Sequence, residues 1–195
     1  MSVLSIDQGP AGAAPSPWVV RWLSLLPSGA SVLDFACGPG RHAREAARRG
    51  LRASAVDRDA TALAAVGPGV QVRAADLEAG PWPFGDERFD AVIVTRYLFR
   101  PRFALLAALV APNGLLIYET FAQGNERFGR PSNPAFLLAP GELYERSTRA
   151  GLTVLAFEHG IVERAVPPGQ QPAPAVVQRV CAVRARGDGA LRALG

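Results

Sequence analysis

The sequence predicts an α/β fold, a doubly wound sheet of seven mostly parallel strands with helices on both faces and an antiparallel last strand. Two observations predict this fold. Short apolar runs alternate with helical patterns, and the run FDAVIVT at residues 89–95 is almost continuously apolar, which is typical of a parallel strand buried on both faces. The final two strands have no helix between them, so we expect them to pair antiparallel.

Five helices are expected from the spacing of apolar residues and from residues that start or end a helix. Proline opens the first and fourth helices (Pro17 and Pro101), Asp59 can cap the third, and glycine ends the second and fifth (Gly50 and Gly151). These helices cover residues 17–26, 41–49, 60–66, 101–110 and 140–150.

Seven strands are expected where short apolar runs lie between turn residues. They cover residues 30–36, 51–56, 70–74, 89–95, 115–120, 153–158 and 176–184. Because strands and helices alternate, the arrangement is Rossmann-like, and sheets of this kind bind ligands at the carboxyl ends of their strands. Residues 121–139 form a long segment rich in glycine, proline and asparagine, and a loop of that length is usually functional or disordered.

The length of 195 residues and the 49% of hydrophobic residues suit one domain with a substantial core. We interpret residues 1–16 as a flexible segment, 17–186 as a single domain and 187–195 as a frayed terminus. No apolar run reaches the roughly 18–20 residues that cross a bilayer, and no basic signal-peptide start is present. With Cys37 and Cys181 expected as buried thiols, we expect a cytoplasmic protein without a membrane partner.

All 21 basic residues are arginine, which excludes chemistry that needs lysine, such as Schiff-base formation. The net charge of +4 permits a nucleic-acid partner without requiring one. The arginines of the second helix share one face, yet Glu45 lies four residues before Arg49, as on a solvated helix with ion pairs. We therefore expect no nucleic-acid partner, and a monomer or a homodimer.

The stretch VLDFACGPGRHA, residues 32–43, carries most of the functional information. An apolar run containing Asp34 leads into a D-x-x-x-G-x-G turn, where glycines let the backbone turn sharply and approach a ligand. Asp57 and Asp76 end the next two apolar runs. Three acidic strand ends in succession indicate a site for a cofactor that contains a nucleoside.

Two classes of cofactor fit this pattern. Gly38, Gly40 and Ala43 match the dinucleotide fingerprint G-x-G-x-x-A, and Asp57 follows at a distance suited to ribose hydroxyls, so a nicotinamide or flavin enzyme is one alternative. Asp34 would instead repel a pyrophosphate and suits a ligand with cationic groups. The pair Asp76-Leu77 suits the amino group and the flat face of adenine.

Residues from about 31 to 184 resemble a class I S-adenosylmethionine-dependent methyltransferase. The resemblance rests on the motifs LDFACGPGRHA, AVDRDATAL, AADLEAGPWPF and FDAVIVTRYLF. The G-x-G-R-H-A turn and the segment YETFAQGNERFGRPSNPAFLLAPGEL are further similar to bacterial small-molecule methyltransferases of the tellurite-resistance type. The resemblance implies S-adenosylmethionine as cofactor, S-adenosylhomocysteine as product and a small-molecule acceptor.

The resemblance also implies roles for individual residues. The methionine part would contact Asp34 and the backbone of the glycine turn, the ribose would contact Asp57, and the adenine would lie near Asp76. The cofactor-binding set is Asp34, Ala36, Gly38, Gly40, His42, Asp57, Arg58, Asp76, Leu77, Thr95 and Arg96. Of these, His42 is expected to position or pack rather than to act as a base, because the start of a helix disfavours a protonated imidazole.

Methyl transfer from a sulfonium is an in-line displacement, and a base is needed only when the acceptor must lose a proton. Tyr97 and Glu119, which follow or end strands, are expected to contact the acceptor, with Glu119 also a candidate base. In the loop 123–136, Arg130 is expected to bind a carboxylate or an oxyanion. These three form the predicted catalytic set, and we expect no metal because no cluster has the spacing of metal ligands.

Other functions stay open at this point. An RNA or protein methyltransferase is one alternative, although residues 95–98 read T-R-Y-L where many base and glutamine-amide methylases have an N-P-P-Y-like tetrapeptide. A module that binds a nucleotide without turnover is another, and the nicotinamide oxidoreductase is the third.

Overall fold

Seven strands lie side by side in one sheet of the computed structural model, which describes residues 13–163 and 173–185. The strands are β1 Ser31–Phe35, β2 Arg52–Asp57, β3 Val70–Ala74, β4 Phe89–Thr95, β5 Val110–Phe121, β6 Thr153–Glu163 and β7 Pro174–Val183. Their order across the sheet is β3-β2-β1-β4-β5-β7-β6. Strands β1 to β5 pair in parallel, whereas β7 runs antiparallel to both β5 and β6. This arrangement confirms the predicted fold class.

Five helices of the described residues flank the sheet, the first three on one face and the last two on the other. They are α1 Pro17–Leu23, α2 Arg41–Arg48, α3 Ala60–Ala64, α4 Phe103–Ala108 and α5 Glu142–Arg149, and shorter 3-10 turns cover Arg100–Arg102, Asn125–Arg127 and Pro134–Phe136. No helix in the described ranges is long and apolar enough to span a bilayer.

The core forms two layers because successive side chains of a strand point to opposite faces. In β4, Ala91 and Ile93 pack with α1 and α2, while Val92 and Val94 pack with α4 and α5. This burial on both faces explains why the sequence of β4 is almost continuously apolar. The sheet order reverses between β1 and β4, so the carboxyl ends of these strands border the crevice where such sheets bind ligands.

The structure differs from the sequence prediction mainly at element ends. Strand β5 begins at Val110 rather than at residue 115, because the turn at Asn113, which has a φ of 63°, lies within the strand as a local irregularity. Strand β6 continues to Glu163, beyond the expected end at 158. Residues 13–16, assigned to the flexible segment, instead pack on the protein, and both Ala13 and Ser16 are buried. The remainder of that segment and the expected frayed terminus lie outside the described residues.

Candidate cofactor and acceptor site

The turn between β1 and α2 has the left-handed backbone that its glycines suggest. Gly38 and Gly40 have φ values of 52° and 72°, and Ala36 takes the same conformation with a φ of 54°. A Cβ atom added to Gly40 would lie 2.7 Å from Cγ2 of Val66, which is fully buried, so glycine is also required there for packing. Ala36 carries a strain that a glycine would relieve, and such strain tends to occur at functional sites.

Asp34 is buried at the end of β1, with only 1% of its surface exposed. Its Oδ2 accepts a hydrogen bond of 3.0 Å from the backbone N–H of Ala43, while Oδ1 is buried and has no hydrogen-bond partner among the described residues. Burial raises the pKa of Asp34 to about 7, against the hydrogen bond from Ala43. A buried carboxylate oxygen without a partner is a favourable position for a cationic group.

Asp57 joins the glycine turn to the end of β2. Its Oδ2 accepts a 2.8 Å hydrogen bond from Gly38 N–H, and its Oδ1 accepts a 3.0 Å bond from Asp59 N–H. Each carboxylate oxygen can accept a second bond, so the side chain can hold the turn and still accept from ribose hydroxyls. The neighbouring Arg58 is exposed.

Asp76 organises the turn that follows β3. Its Oδ1 accepts hydrogen bonds from Ala79 N–H at 3.0 Å and from Glu78 N–H at 2.8 Å, and these bonds hold the pKa of Asp76 below its usual value. The carboxylate is only half-buried, so it keeps acceptor capacity beyond these two hydrogen bonds. Leu77 is buried in the core cluster that also contains Phe35.

Tyr97 forms part of an aromatic wall beside this turn. Its ring lies edge-on to Phe35, with centroids 5.6 Å apart, and Trp82 packs on the other side of Phe35 at 6.0 Å. Burial raises the pKa of the Tyr97 phenol above its ordinary value, with the charge of Glu78 adding to the effect. Tyr97 is thus suited to shape the site rather than to take up a proton.

His42 is almost completely buried, and both ring nitrogens have partners. Its Nε2 accepts a 3.1 Å hydrogen bond from the backbone N–H of Ser16. Because a backbone N–H can only donate, the ring proton lies on Nδ1, which is 3.4 Å from Oγ1 of Thr95. Burial lowers the pKa of His42 well below its ordinary value, and the charge of Arg41 adds to this. These contacts agree with a positioning role.

A cleft lies beside the glycine turn, at the carboxyl ends of β4 and β5 and the start of β7. We name it the lateral cleft, and its polar lining consists mainly of Ser16, Arg41, Arg96, Glu119, Thr120 and Arg179. Glu119 and Arg179 are register partners across β5 and β7, and their Oε2 and Nε atoms lie 2.6 Å apart. Ser16 donates a 3.0 Å hydrogen bond from its hydroxyl to the same oxygen of Glu119.

Arg130 is exposed, and it is not among the described residues that line the lateral cleft. The loop that carries it is anchored from both sides. Asn125 is buried, donates to Pro131 O and accepts from Val176 N–H. Arg100 donates to the carbonyl oxygens of residues 135 and 137 and to the Glu142 carboxylate.

The predicted site residues therefore fall into two neighbouring groups. Asp34, Asp57 and the glycine turn meet at the ends of β1 and β2, while Arg96 and Glu119 meet in the lateral cleft, where Arg96 N–H donates to Glu119 O at 2.9 Å. The Thr95–His42 contact joins the two groups. Tyr97 lies apart from the lateral cleft, and Arg130 lies outside it, so the three predicted catalytic residues are not brought together.

Several residues of the lateral cleft escaped the sequence analysis. Arg41 was expected on a solvated helix face, yet only 7% of its surface is exposed. Its position could have predicted this burial, because Arg41 directly follows Gly40 at the end of the helix that faces the carboxyl ends of the strands. Ser16 occupies the expected cap position, but its hydroxyl binds Glu119 instead of the helix. No local sequence pattern marks Thr120 or Arg179 as a site residue, because only the pairing of β5 with β7 brings them together.

The residues present fit the cofactor that the resemblance implies. The unpaired Oδ1 of Asp34 is placed to receive an ammonium group, and the carboxylate of Asp57 retains acceptor capacity beside the turn. Within residues 13–163 and 173–185, no group of histidine, cysteine or acidic side chains is arranged to hold a metal ion. The individual residue roles stay predictions.

Residues 32–114 match the family model of a methyltransferase domain. No curated protein matches the chain. TehB from Haemophilus influenzae has a similar structure, with a TM-score of 0.70 and 16% identity over 87% of this chain. The alignment covers 62% of TehB, so this chain matches less than two thirds of that protein's length.

Two further structures are similar over nearly all of their own length. A TehB-like methyltransferase from Corynebacterium glutamicum has a TM-score of 0.59 and 18% identity, covering 86% of this chain and 89% of its own. An S-adenosylmethionine-dependent methyltransferase from Mesorhizobium loti has a TM-score of 0.64 and 20% identity, covering 89% and 99%. The family match over residues 32–114 and the shared fold agree with the predicted resemblance to class I S-adenosylmethionine-dependent methyltransferases.

Proposed function

We propose that this chain, as an S-adenosylmethionine-dependent methyltransferase, transfers the methyl group to a small-molecule acceptor by in-line displacement. The observation that carries the proposal is the juxtaposition of two sites. The glycine turn with its unpaired Asp34 oxygen adjoins the lateral cleft through the Thr95–His42 contact.

The cofactor half of the proposal rests on charge and hydrogen-bonding capacity. S-adenosylmethionine supplies a methyl group on a positively charged sulfur when bound. Asp34 offers a buried anionic oxygen for the ammonium of the methionine part, and Asp57 offers acceptors for the ribose. A pyrophosphate would meet two carboxylates at this turn, and this repulsion disfavours a dinucleotide.

The acceptor half rests on the residues that line the lateral cleft. They combine charged and hydroxyl side chains with the apolar Phe121 and Val177, a mixture typical of small-molecule pockets. Ser16 lines the cleft and is hydrogen-bonded to His42 and to Glu119, so the start of α1 forms part of the cleft wall. A cleft bordered by this helix favours a small acceptor over a folded RNA or a protein surface.

The chain's own residues act mainly by positioning in this proposal. The Thr95–His42 contact and the paired Glu119 give the cleft wall a rigid arrangement, which favours alignment of two reacting groups. Glu119 is held by Arg179 and Ser16, so we propose that it orders the cleft wall. An acceptor whose attacking atom is already unprotonated needs no base.

Cofactor choice is tested by thermal denaturation with S-adenosylhomocysteine, NAD or NADP. A ligand that binds only the folded protein raises the melting temperature, so we expect S-adenosylhomocysteine alone to raise it. Asp57→Asn should weaken this effect. Asp59→Asn is the matched control, because Asp59 is exposed and its side chain caps α3 by accepting from the N–H groups of residues 61 and 62. A rise with NAD or NADP instead would contradict the proposal.

Acceptor class is tested by transfer of isotopically labelled methyl groups into three fractions of a cell extract, namely small molecules, RNA and protein. We expect label in the small-molecule fraction, in a product that requires intact Asp57. Label that enters RNA or protein instead would contradict the small-molecule acceptor. Cofactor binding without label in any fraction would favour a binding module without turnover.

A further inference from the structure

We propose that the lateral cleft is an anion-binding subsite, and that the acceptor is anchored there by a carboxylate or another oxoanion through Arg41, Arg96 and Thr120. This inference rests on the proposed function and specifies its acceptor class. It also moves the predicted anion contact from the exposed Arg130 to a built cleft beside the glycine turn.

The first support is the burial of Arg41. Only 7% of its surface is exposed, and its guanidinium lines the lateral cleft. It donates to Ala14 O at 3.4 Å, and no carboxylate of the described residues lies within ion-pair distance. A guanidinium has five N–H donors, so one long bond leaves most of them available. The charges of Glu119 and Asp34 act on Arg41 from beyond ion-pair distance, so this buried guanidinium has no direct anionic partner among the described residues and favours an anionic ligand.

The second support is Thr120. The side-chain oxygen is buried in the cleft wall and has no hydrogen-bond partner among the described residues. Buried hydroxyls are normally paired, so an unpaired one at a cleft indicates a group that binds there. Thr120 lies on β5, whereas Arg41 begins α2, so two separate elements contribute unsatisfied donors to one cleft.

The third support is the backbone of Arg96. Its φ of 53° is left-handed, which is unfavourable for a residue with a large side chain. The N–H of Arg96 donates to Glu119 O, and this bond helps to hold the strained turn at the end of β4. Arg96 lines the lateral cleft, although a glycine would adopt this backbone conformation without strain.

The acidic residues of the lateral cleft form no ion pair with Arg41 among the described residues. Glu119 is paired with Arg179 and accepts from Ser16. Arg179 is also 3.3 Å from Glu158, so it is shared between two carboxylates on the neighbouring strands. Glu163 is exposed at the end of β6 and therefore lies where solvent screens its charge.

The subsite is tested by calorimetric titration of the protein saturated with S-adenosylhomocysteine, at constant ionic strength in chloride. The probes are benzoate, its neutral analogue benzamide, and sulfate. We expect benzoate to bind at least about tenfold more tightly than benzamide, since hydrogen bonds to a charged group are the stronger ones. Tighter binding of sulfate than of benzoate would identify a tetrahedral oxoanion as the anchoring group.

Variants locate the binding site. Arg96→Gly removes the guanidinium and relieves the backbone, and Thr120→Val removes the hydroxyl at nearly constant volume. We expect each to weaken benzoate by about tenfold, and Thr120→Val, whose residue is outside the predicted cofactor-binding set, to keep S-adenosylhomocysteine binding within about twofold. Asn113→Gly is the matched control, a second left-handed position in the β5 turn, outside the lateral cleft, and should leave benzoate binding unchanged.

The outcomes separate this proposal from the proposed function. If S-adenosylhomocysteine itself fails to bind, the proposed function fails. If it binds, but neither benzoate nor sulfate binds better than benzamide, only the anion subsite is overturned. Anion binding that survives both Arg96→Gly and Thr120→Val would likewise overturn the assignment to this cleft.

Discussion

Replacement of Asp34 by asparagine is expected to make the ligand-free protein more stable and its cofactor binding weaker. The reason is the unpaired Oδ1, whose burial raises the pKa of Asp34 from 3.8 to about 7. A carboxyl group with a raised pKa in the folded state favours folding when it is protonated. Its contribution is complete below pH 3.8, the unfolded value, and is lost as the pH rises through about 7.

The magnitude follows from this difference in pKa. Each pKa unit corresponds to about 1.4 kcal/mol, so an ionised Asp34 costs about 4 kcal/mol of unfolding free energy above pH 7. Asparagine removes the charge but buries an amide with unmet donors, which costs about 1–3 kcal/mol. We expect a net gain of about 1–3 kcal/mol at pH 8.5, or about 3–10 °C in melting temperature for a chain of this length.

Cofactor binding should change in the opposite direction. Removing the anionic partner of a buried ammonium costs at least about 2 kcal/mol, which weakens S-adenosylhomocysteine about 30-fold or more. In the wild type, affinity should fall by up to about tenfold per pH unit below pH 7, as Asp34 takes up a proton. In Asp34→Asn this pH dependence should disappear.

The assay is calorimetric unfolding and ligand titration of both proteins at pH 5.5, 7.0 and 8.5. Asp90→Asn is the matched control. Asp90 lies near the start of β4, at the opposite end of the strands from Asp34, and accepts hydrogen bonds from both the N–H and the hydroxyl of Ser31. It should lower stability and leave S-adenosylhomocysteine affinity unchanged. The reasoning is refuted if Asp34→Asn is less stable than the wild type at pH 8.5, or if it binds the ligand equally well.

Three further variants test the structure. Gly40→Ala should destabilise the fold by about 2–4 kcal/mol in urea unfolding, because its Cβ would lie 2.7 Å from Val66 at a left-handed φ, and an unchanged midpoint would contradict this packing. Glu119→Gln should cost about 1–3 kcal/mol by weakening the Arg179 pair. If turnover instead falls by orders of magnitude at unchanged stability, Glu119 is a base. Arg100→Gln should speed amide hydrogen exchange in residues 135–138 without changing cofactor affinity, and exchange at the wild-type rate would contradict its role as an anchor.

The lateral cleft was the less predictable part of the site. Glu119 was expected to contact the acceptor or act as a base, yet it pairs with Arg179, which is 60 residues away in the chain and directly opposite in the sheet register. Arg41 reads as a surface residue of an arginine-rich helix and is buried because α2 starts against the site. Ser16 is positioned by the packing of α1, which no local pattern specifies.

Local sequence alone determines the positions of the strands, the left-handed glycine turn and the acidic strand ends. These features depend on the spacing of apolar side chains and on the backbone conformations that glycine can adopt, both of which are set within a few residues. Strand β4 and the Asp59 cap of α3 follow from such signals without the rest of the fold. Tertiary structure alone decides which polar groups are satisfied. Asp34 Oδ1 is left without a partner, whereas Glu119 is occupied, since burial and cross-strand pairing depend on which elements pack together.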